Sequence, residues 1–148
     1  MNKITYRLVA ALVTAFVAGT ACADKNPRRV GFVAEPEAAY HAVPQIQRAR
    51  GFLPEAVDLS NRMPKPGDQG DFSSCTAWAV AYAARSYYAA GQAGVERLDA
   101  STALSPAYVY NRLNGGQCNQ PTSIMDALTL MRDEGVLPMR DFPYQASN

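Results

Sequence analysis

Gln69 stands six positions before Cys75 in Gly67-Asp68-Gln69-Gly70-Asp71-Phe72-Ser73-Ser74-Cys75, and the cysteine opens the apolar run Thr76-Ala77-Trp78-Ala79-Val80. A thiol at the start of a helix sits at the positive end of the helix dipole, which favours the thiolate, the nucleophilic form. The side-chain oxygens of Ser73 and Ser74 can accept from N–H groups that the first helical turn leaves unpaired. A thiolate beside an amide that donates to a developing oxyanion is half of an acyl-transfer site. The other half is a general base, and the chain holds a single histidine, His41. It lies in a polar stretch whose flanking residues carry no catalytic pattern. A surface histidine is the expectation there, with a dyad in which the histidine precedes the cysteine as the alternative.

The elements that must hold these residues belong to an ordinary globular chain of about one domain, 148 residues long and 48% apolar. The formal net charge is +1, with no long run of one sign, so nucleic acid is not an expected partner. Nor does the sequence call for a metal or cofactor. Residues 1–23 read as an export signal: Lys3 and Arg7 form a positive start, Leu8 to Ala18 an apolar core too short to span a bilayer, and Ala21-Cys22-Ala23 a small-residue cleavage pattern. Cleavage before Asp24 leaves 12 basic against 13 acidic residues, a net charge of −1. The alternative is a lipoprotein signal with Cys22 lipidated, which would tie the chain to a membrane. Either way the protein is expected to be exported, to a bacterial periplasm or beyond.

Three cysteines leave two, Cys75 and Cys118, in the mature chain. In an oxidising compartment they are candidates for one disulfide, whereas the position of Cys75 at the start of a capped helix suits a reactive thiol. Residues 24–52, with prolines at 27, 36 and 44, read as an exposed lead-in or short pro-segment. From residue 53 the domain begins, with Pro54 and the alternation at Val57 and Leu59 suiting an extended edge segment. The helix opened by Cys75 is predicted to run to about Ala90 and to stop at Gly91. It is apolar nearly all round and therefore expected to be buried. Ser105-Pro106 predicts a second helix ending at Asn114-Gly115-Gly116, and Ser123 with Asp126 a third. Ile124, Ala127, Leu128 and Met131 share one face of the third helix, which Gly135 ends.

Taken in order, these residues resemble the papain-like cysteine peptidases over about Leu53 to Tyr144. Leu53-Pro54 with Val57-Asp58 is similar to the family's mature start, and Gln69-Gly70…Ser74-Cys75 with Ala77 and Trp78 to its Gln-Gly…Ser-Cys-Trp-Ala-Phe signature. Leu104-Ser105-Pro106, Ser123 to Leu128 and Gly135…Pro143-Tyr144 resemble the segments that follow in the first half of the fold. Bacterial exported members are the nearest in pattern. The resemblance implies an α+β papain-like fold in two lobes, a mainly helical one bearing the cysteine and a β-rich one bearing histidine and asparagine. Peptide or protein substrate would lie between them. Cys75 would be the nucleophile, and Gln69 would donate to the oxyanion beside the Cys75 amide.

The departures matter as much. Phe72 stands where the family often has a cysteine, Thr76 where it has tryptophan and Ser73 where it has glycine, and Asp71 brings a carboxylate near the thiol. Asn114-Gly115-Gly116 resembles the substrate-pocket glycines, but a register anchored on Cys118-Asn119 and Ala127-Leu128 puts Pro121 there instead. No histidine follows Cys75. The resemblance therefore implies the helical first lobe only, with the β-rich second lobe absent from this chain, and little proteolysis by the chain alone. Two functions remain open. One is a cysteine-type peptidase completed by a missing C-terminal lobe or a second chain. The other is a non-catalytic remnant that binds a peptide or partner.

Overall fold

The computed structural model describes residues 31–47, 51–52, 54–117 and 119–146. The export-signal reading of residues 1–23 and the assignments made to Cys22 and Cys118 lie outside these residues. Strand β1 (Phe32–Val33) and helix α1 (Glu37–Ala42) come first. Helix α2 follows in three consecutive parts, Cys75–Ala77, a π-helical Trp78–Arg85 and Ser86–Ala93. After it come α3 (Pro106–Leu113), β2 (Thr122–Ser123) and α4 (Ile124–Asp133). The strands form one parallel pair in the register Phe32–Thr122 and Val33–Ser123.

The core lies where α2, α3 and α4 meet: Ala77, Val80 and Ala81 pack with Val109, Tyr110, Ala127 and Met131. Three alanines on facing helices bring the backbones close, and Phe72, Leu113, Leu130 and Val136 close the rim. Helix α2 is not apolar all round in effect. Ala79, Ala84 and Tyr88 face solvent, so two of its alanines lie on an exposed face, whereas Ala77, Ala81 and Ala90 are buried. In α4 the buried stripe is Ala127 and Met131, whereas Ile124 and Leu128 are exposed. The expected four-residue face is thus halved, because only its Ala127–Met131 side is turned to α2 and α3.

The caps of α3 and α4 follow the sequence. Ser105 Oγ accepts from the Tyr108 N–H at 3.1 Å with Pro106 in the first turn, and Ser123 Oγ accepts from the Asp126 N–H at 3.0 Å. Helix α2 departs at both ends. Ser74 occupies its N-cap with no side-chain cap bond, and at φ −105°, ψ 14° it lacks the extended backbone that a capping serine adopts. At the other end the helix runs past Gly91 to Ala93, and Gly94, at φ 69°, closes it by donating to Ala90 and Gly91. Val95 also donates to Ala90 O at 3.0 Å, satisfying the last carbonyls in the manner of a Schellman closure. Residues 54–59 form no strand. They lead into a 3-10 turn at Ser60–Arg62, with Asp58 accepting from the Ser60 N–H at 2.8 Å.

The connection from α2 to α3 is organised by Asp99. Its Oδ1 accepts from the N–H and hydroxyl of both Ser101 and Thr102 at 2.7–2.9 Å. The turn so formed aligns Ala103 and Ser105 against residues 137–139, with Ser105 N–H to Leu137 O and Met139 N–H to Ala103 O both at 2.8 Å. Four donors hold the Asp99 carboxyl at about 2, below the ordinary 3.8. Because the folded value is depressed, the contribution of this turn is full above the unfolded value and fades as pH falls through about 2. Replacing Ser101 and Thr102 by alanine is expected to bring the Asp99 titration, followed by carboxyl NMR, back toward 3.8.

Candidate functional site

Cys75 is a free, half-buried thiol at the first residue of α2. Its helix is fixed from behind by the core contacts of Ala77, Val80 and Ala81, so the sulfur is carried on a rigid element. Thr76 is buried beside it, and its hydroxyl lies 2.9 Å from Gly31 O and 3.1 Å from Thr122 O. That hydroxyl joins the first turn of α2 to both strands. Gly31, just before β1, donates its N–H to Cys75 Sγ at 3.1 Å. Most of residues 32–47 is exposed as an exposed lead-in should be, but Gly31 is buried against the cysteine.

Gln69 is half-buried on the loop that leads into α2, and its side-chain amide donates to Phe72 O at 2.9 Å. This bond folds the loop back on itself between the glutamine and the cysteine. Asp68 Oδ1 accepts from the Gly70 N–H at 2.9 Å, and Gly70 takes φ 59°, a turn that glycine makes without a Cβ penalty. Gly67 is needed for a different reason: a Cβ there would lie 2.4 Å from the Trp78 ring. The loop thus lies directly on the indole. Among the described residues no hydrogen bond joins Gln69 to Cys75; what unites them is the common loop.

Two tyrosines clamp that loop from outside. Tyr144 donates its hydroxyl to Gln69 O at 2.7 Å and shares a second bond of 2.7 Å with Ser74 Oγ. With one proton on the phenol, the Ser74 hydroxyl is the donor in the second bond. Ser74 is therefore spent on Tyr144 and is free of the helix end, which is why the expected cap is missing. Tyr82 donates to Lys65 O at 2.7 Å, and burial pushes its hydroxyl above the usual range, keeping it a donor. Both rings pack on Trp78, Tyr144 edge-on at 5.0 Å and Tyr82 tilted by 58° at 4.7 Å between centroids. Ser73 is buried with its hydroxyl unpartnered, as is the Thr122 hydroxyl across the strand pair.

His41 lies on α1, exposed, 3.6 Å from Glu37 one turn earlier and edge-on to Tyr40. No hydrogen bond or ion pair joins it to Cys75, which matches a surface histidine. A cavity of about 420 Å³ between α3 and residues 141–145 has Phe72, Tyr110, Phe142 and Tyr144 in its wall, and a smaller one of about 330 Å³ is lined by Gly67, Gln69 and Trp78. Cys75 is in neither wall. Among the described residues no cluster of three or more His, Cys, Asp or Glu side chains could hold a metal, and no helix is long and apolar enough to cross a membrane.

The motif singles out Gln69 and Cys75; Thr76 stands within it as a departure from the signature, whereas Gly31 and Tyr144 come to the site from residues that it does not contain. Gly31 has a local signal, since Val30-Gly31-Phe32-Val33 is an apolar island in a polar lead-in. Tyr144 has none, being 75 residues from Gln69. Comparison with protein-family models, characterised proteins and solved structures finds no match.

Removing the Tyr144 hydroxyl leaves Gln69 O short of a donor and Ser74 without its acceptor. Tyr144→Phe is therefore expected to cost about 1–3 kcal/mol in denaturant unfolding, the penalty for part-buried polar groups left unpaired. In a double-mutant cycle with Ser74→Ala the two effects are expected to be non-additive.

Proposed function

We propose that this chain is the cysteine-bearing helical lobe of a papain-like cysteine peptidase of the exported kind, acting on peptide or protein substrate. The observation that carries this reading is the pairing of a free, half-buried Cys75 at the head of a core-packed helix with Gln69 on the loop that turns into it. In that reading the Cys75 thiolate attacks the carbonyl carbon of the scissile bond, and the oxygen takes the negative charge. Gln69 swings its amide from Phe72 O to that oxygen and, with the Cys75 N–H, stabilises it. The C–N bond then breaks, the amine leaves with a proton from the base, and water, giving a proton back to the base, hydrolyses the thioester.

His41 lies beside Glu37 on α1 rather than beside Cys75, so the base of this reading comes from a β-rich second lobe or a second chain. The second reading, a peptide- or partner-binding module without catalysis, draws on the same observation, that among the described residues no histidine stands beside the thiol. Imidazole can separate the two by acting as a diffusible base. With an activated acyl ester and added imidazole, the chain is expected to acylate at Cys75 and not in Cys75→Ala. Gln69→Ala should lower acylation about 10²-fold, the usual effect of losing one oxyanion donor. It should leave alkylation of the same thiol by iodoacetamide unchanged, because alkylation forms no oxyanion. Equal acylation in wild type and Gln69→Ala would remove Gln69 from the mechanism, and the binding-module reading would then stand.

A further inference from the structure

We infer that the cavity between α3 and residues 141–145 binds an organic cation, a guanidinium or ammonium group received among aromatic rings beside the Asp141 carboxylate. This site stands apart from the proposed chemistry, since neither Cys75 nor Gln69 is in its wall.

At about 420 Å³ the cavity has the size of a small-molecule site. Of its four aromatic side chains Tyr110 is buried, and Phe72, Phe142 and Tyr144 are half-buried. Asn111, Asp141 and Gln145 are exposed, so a floor of rings opens through a polar rim. Among the described residues Asp141 is the one charged side chain in the wall, and no lysine, arginine or histidine stands there. Burial pushes the Tyr110 hydroxyl above its usual range, so it adds no charge at neutral pH. An aromatic ring offers a cation the negative face of its quadrupole, and a carboxylate adds an attraction of the same sign. An anion would be repelled by both. A guanidinium has five N–H donors and no acceptor, and the amide oxygens of Asn111 and Gln145 give the rim further acceptors for it.

The rings are held in place by contacts of their own. Tyr144 is pinned through its hydroxyl to Gln69 O and Ser74. It meets Phe72 edge-on, with 82° between the ring planes and 6.4 Å between centroids. Two rings in a T enclose a corner bounded by both faces, which is how aromatic cages surround a cation. Phe142 meets Tyr108 at 89° and 5.7 Å, and the N–H groups of Asp141 and Phe142 both donate to Pro138 O at 3.0 Å, fixing the turn that carries the carboxylate. Two cations lie nearby, and neither is in the wall. Arg112 rests 4.4 Å over the Tyr108 ring and is paired with Glu134, so its charge is already answered. Arg140 stands 3.6 Å from Asp141, but both side chains are exposed. Such a pair is weak, and a cation in the cavity competes with it for the carboxylate.

The chain's one tryptophan, Trp78, lies 5.0 Å from Tyr144 between centroids and so reports on this wall. The test titrates the full chain at low salt with N-acetylarginine amide and with its neutral isostere N-acetylcitrulline amide, read by calorimetry and Trp78 fluorescence. The arginine compound is expected to bind with a Kd of about 1 mM, and the citrulline compound at least about tenfold more weakly. Asp141→Asn, with folding checked by far-UV circular dichroism, should weaken the arginine compound about tenfold, the factor for one charge-assisted bond. Arg140→Ala, which frees the carboxylate, should strengthen it about twofold. A tripeptide with arginine at its centre and both ends blocked identifies the source of the cation. Tighter binding than the single residue marks a peptide side chain, and equal binding a free guanidine or amine. Citrulline binding within about twofold of arginine would overturn the site, and that comparison needs no variant. So would unchanged binding in Asp141→Asn, or no saturation by about 100 mM, a hundred times the expected Kd. None of these readings involves Cys75, so the result is independent of whether the thiol acylates.

Discussion

A buried hydroxyl needs an acceptor, and the Thr76 hydroxyl has two: the carbonyls of Gly31 and Thr122. One proton shared between two carbonyls at 2.9 Å and 3.1 Å ties the first turn of α2 to both strands at once. The rest of the arrangement depends on this junction. It sets the height of β1 over α2, and hence where the Gly31 amide meets the cysteine. It also sets where β2 ends, and hence where α4 begins and where the Glu35 carboxylate accepts from Ser123. Tryptophan, the residue of the resembled family at this position, could fill the space but could not make the same junction. Its one N–H sits at the edge of a large ring, whereas a threonine hydroxyl reaches two backbone oxygens from within the first turn.

The loop from Lys65 to Ser74 is subject to a second constraint, that of backbone carbonyls which no secondary structure satisfies. Tyr144 and Tyr82 meet it from distant parts of the chain, supplying Gln69 O and Lys65 O with donors while their rings pack on Trp78. The same side chains thus provide apolar contact and a polar tip, which is the usual role of a tyrosine at a part-buried site. The conformation of the loop that presents Gln69 is in consequence a tertiary property, although the loop is short and rich in glycine.

What can be read from the residues alone follows from the range of the interaction involved. Ser105-Pro106 and Ser123 lie within three residues of the N–H groups that they cap, so α3 and α4 begin where local chemistry places them. Ser74 looks no different in sequence, yet its hydroxyl is taken by Tyr144, 70 residues on. Gly91 and Gly94 are both able to end α2, and only the closure of Gly94 onto Ala90 distinguishes them. The same holds for the site. Cys75 and Gln69 are legible because they share one loop. Gly31 reads as part of an exposed lead-in because a two-residue parallel pairing has no sequence period, and the short apolar island around it does not say what it packs against.

The π-helical stretch Trp78–Arg85 gives α2 an unequal tolerance to changes in length. An α-helix turns about 100° per residue, so removing one residue from the Ser86–Ala93 part would swing everything beyond it to another side of the helix. A π turn spends more residues on the same rotation. Dropping one of the small residues there, such as the exposed Ala79, lets the turn tighten to α geometry and absorbs much of the swing. Cys75 on one flank and Ser86, which bridges Ala81 O and the Leu104 N–H, on the other would keep nearly the same relative bearing. The helix therefore holds a reserve of one residue at the point where it links the thiol to the core.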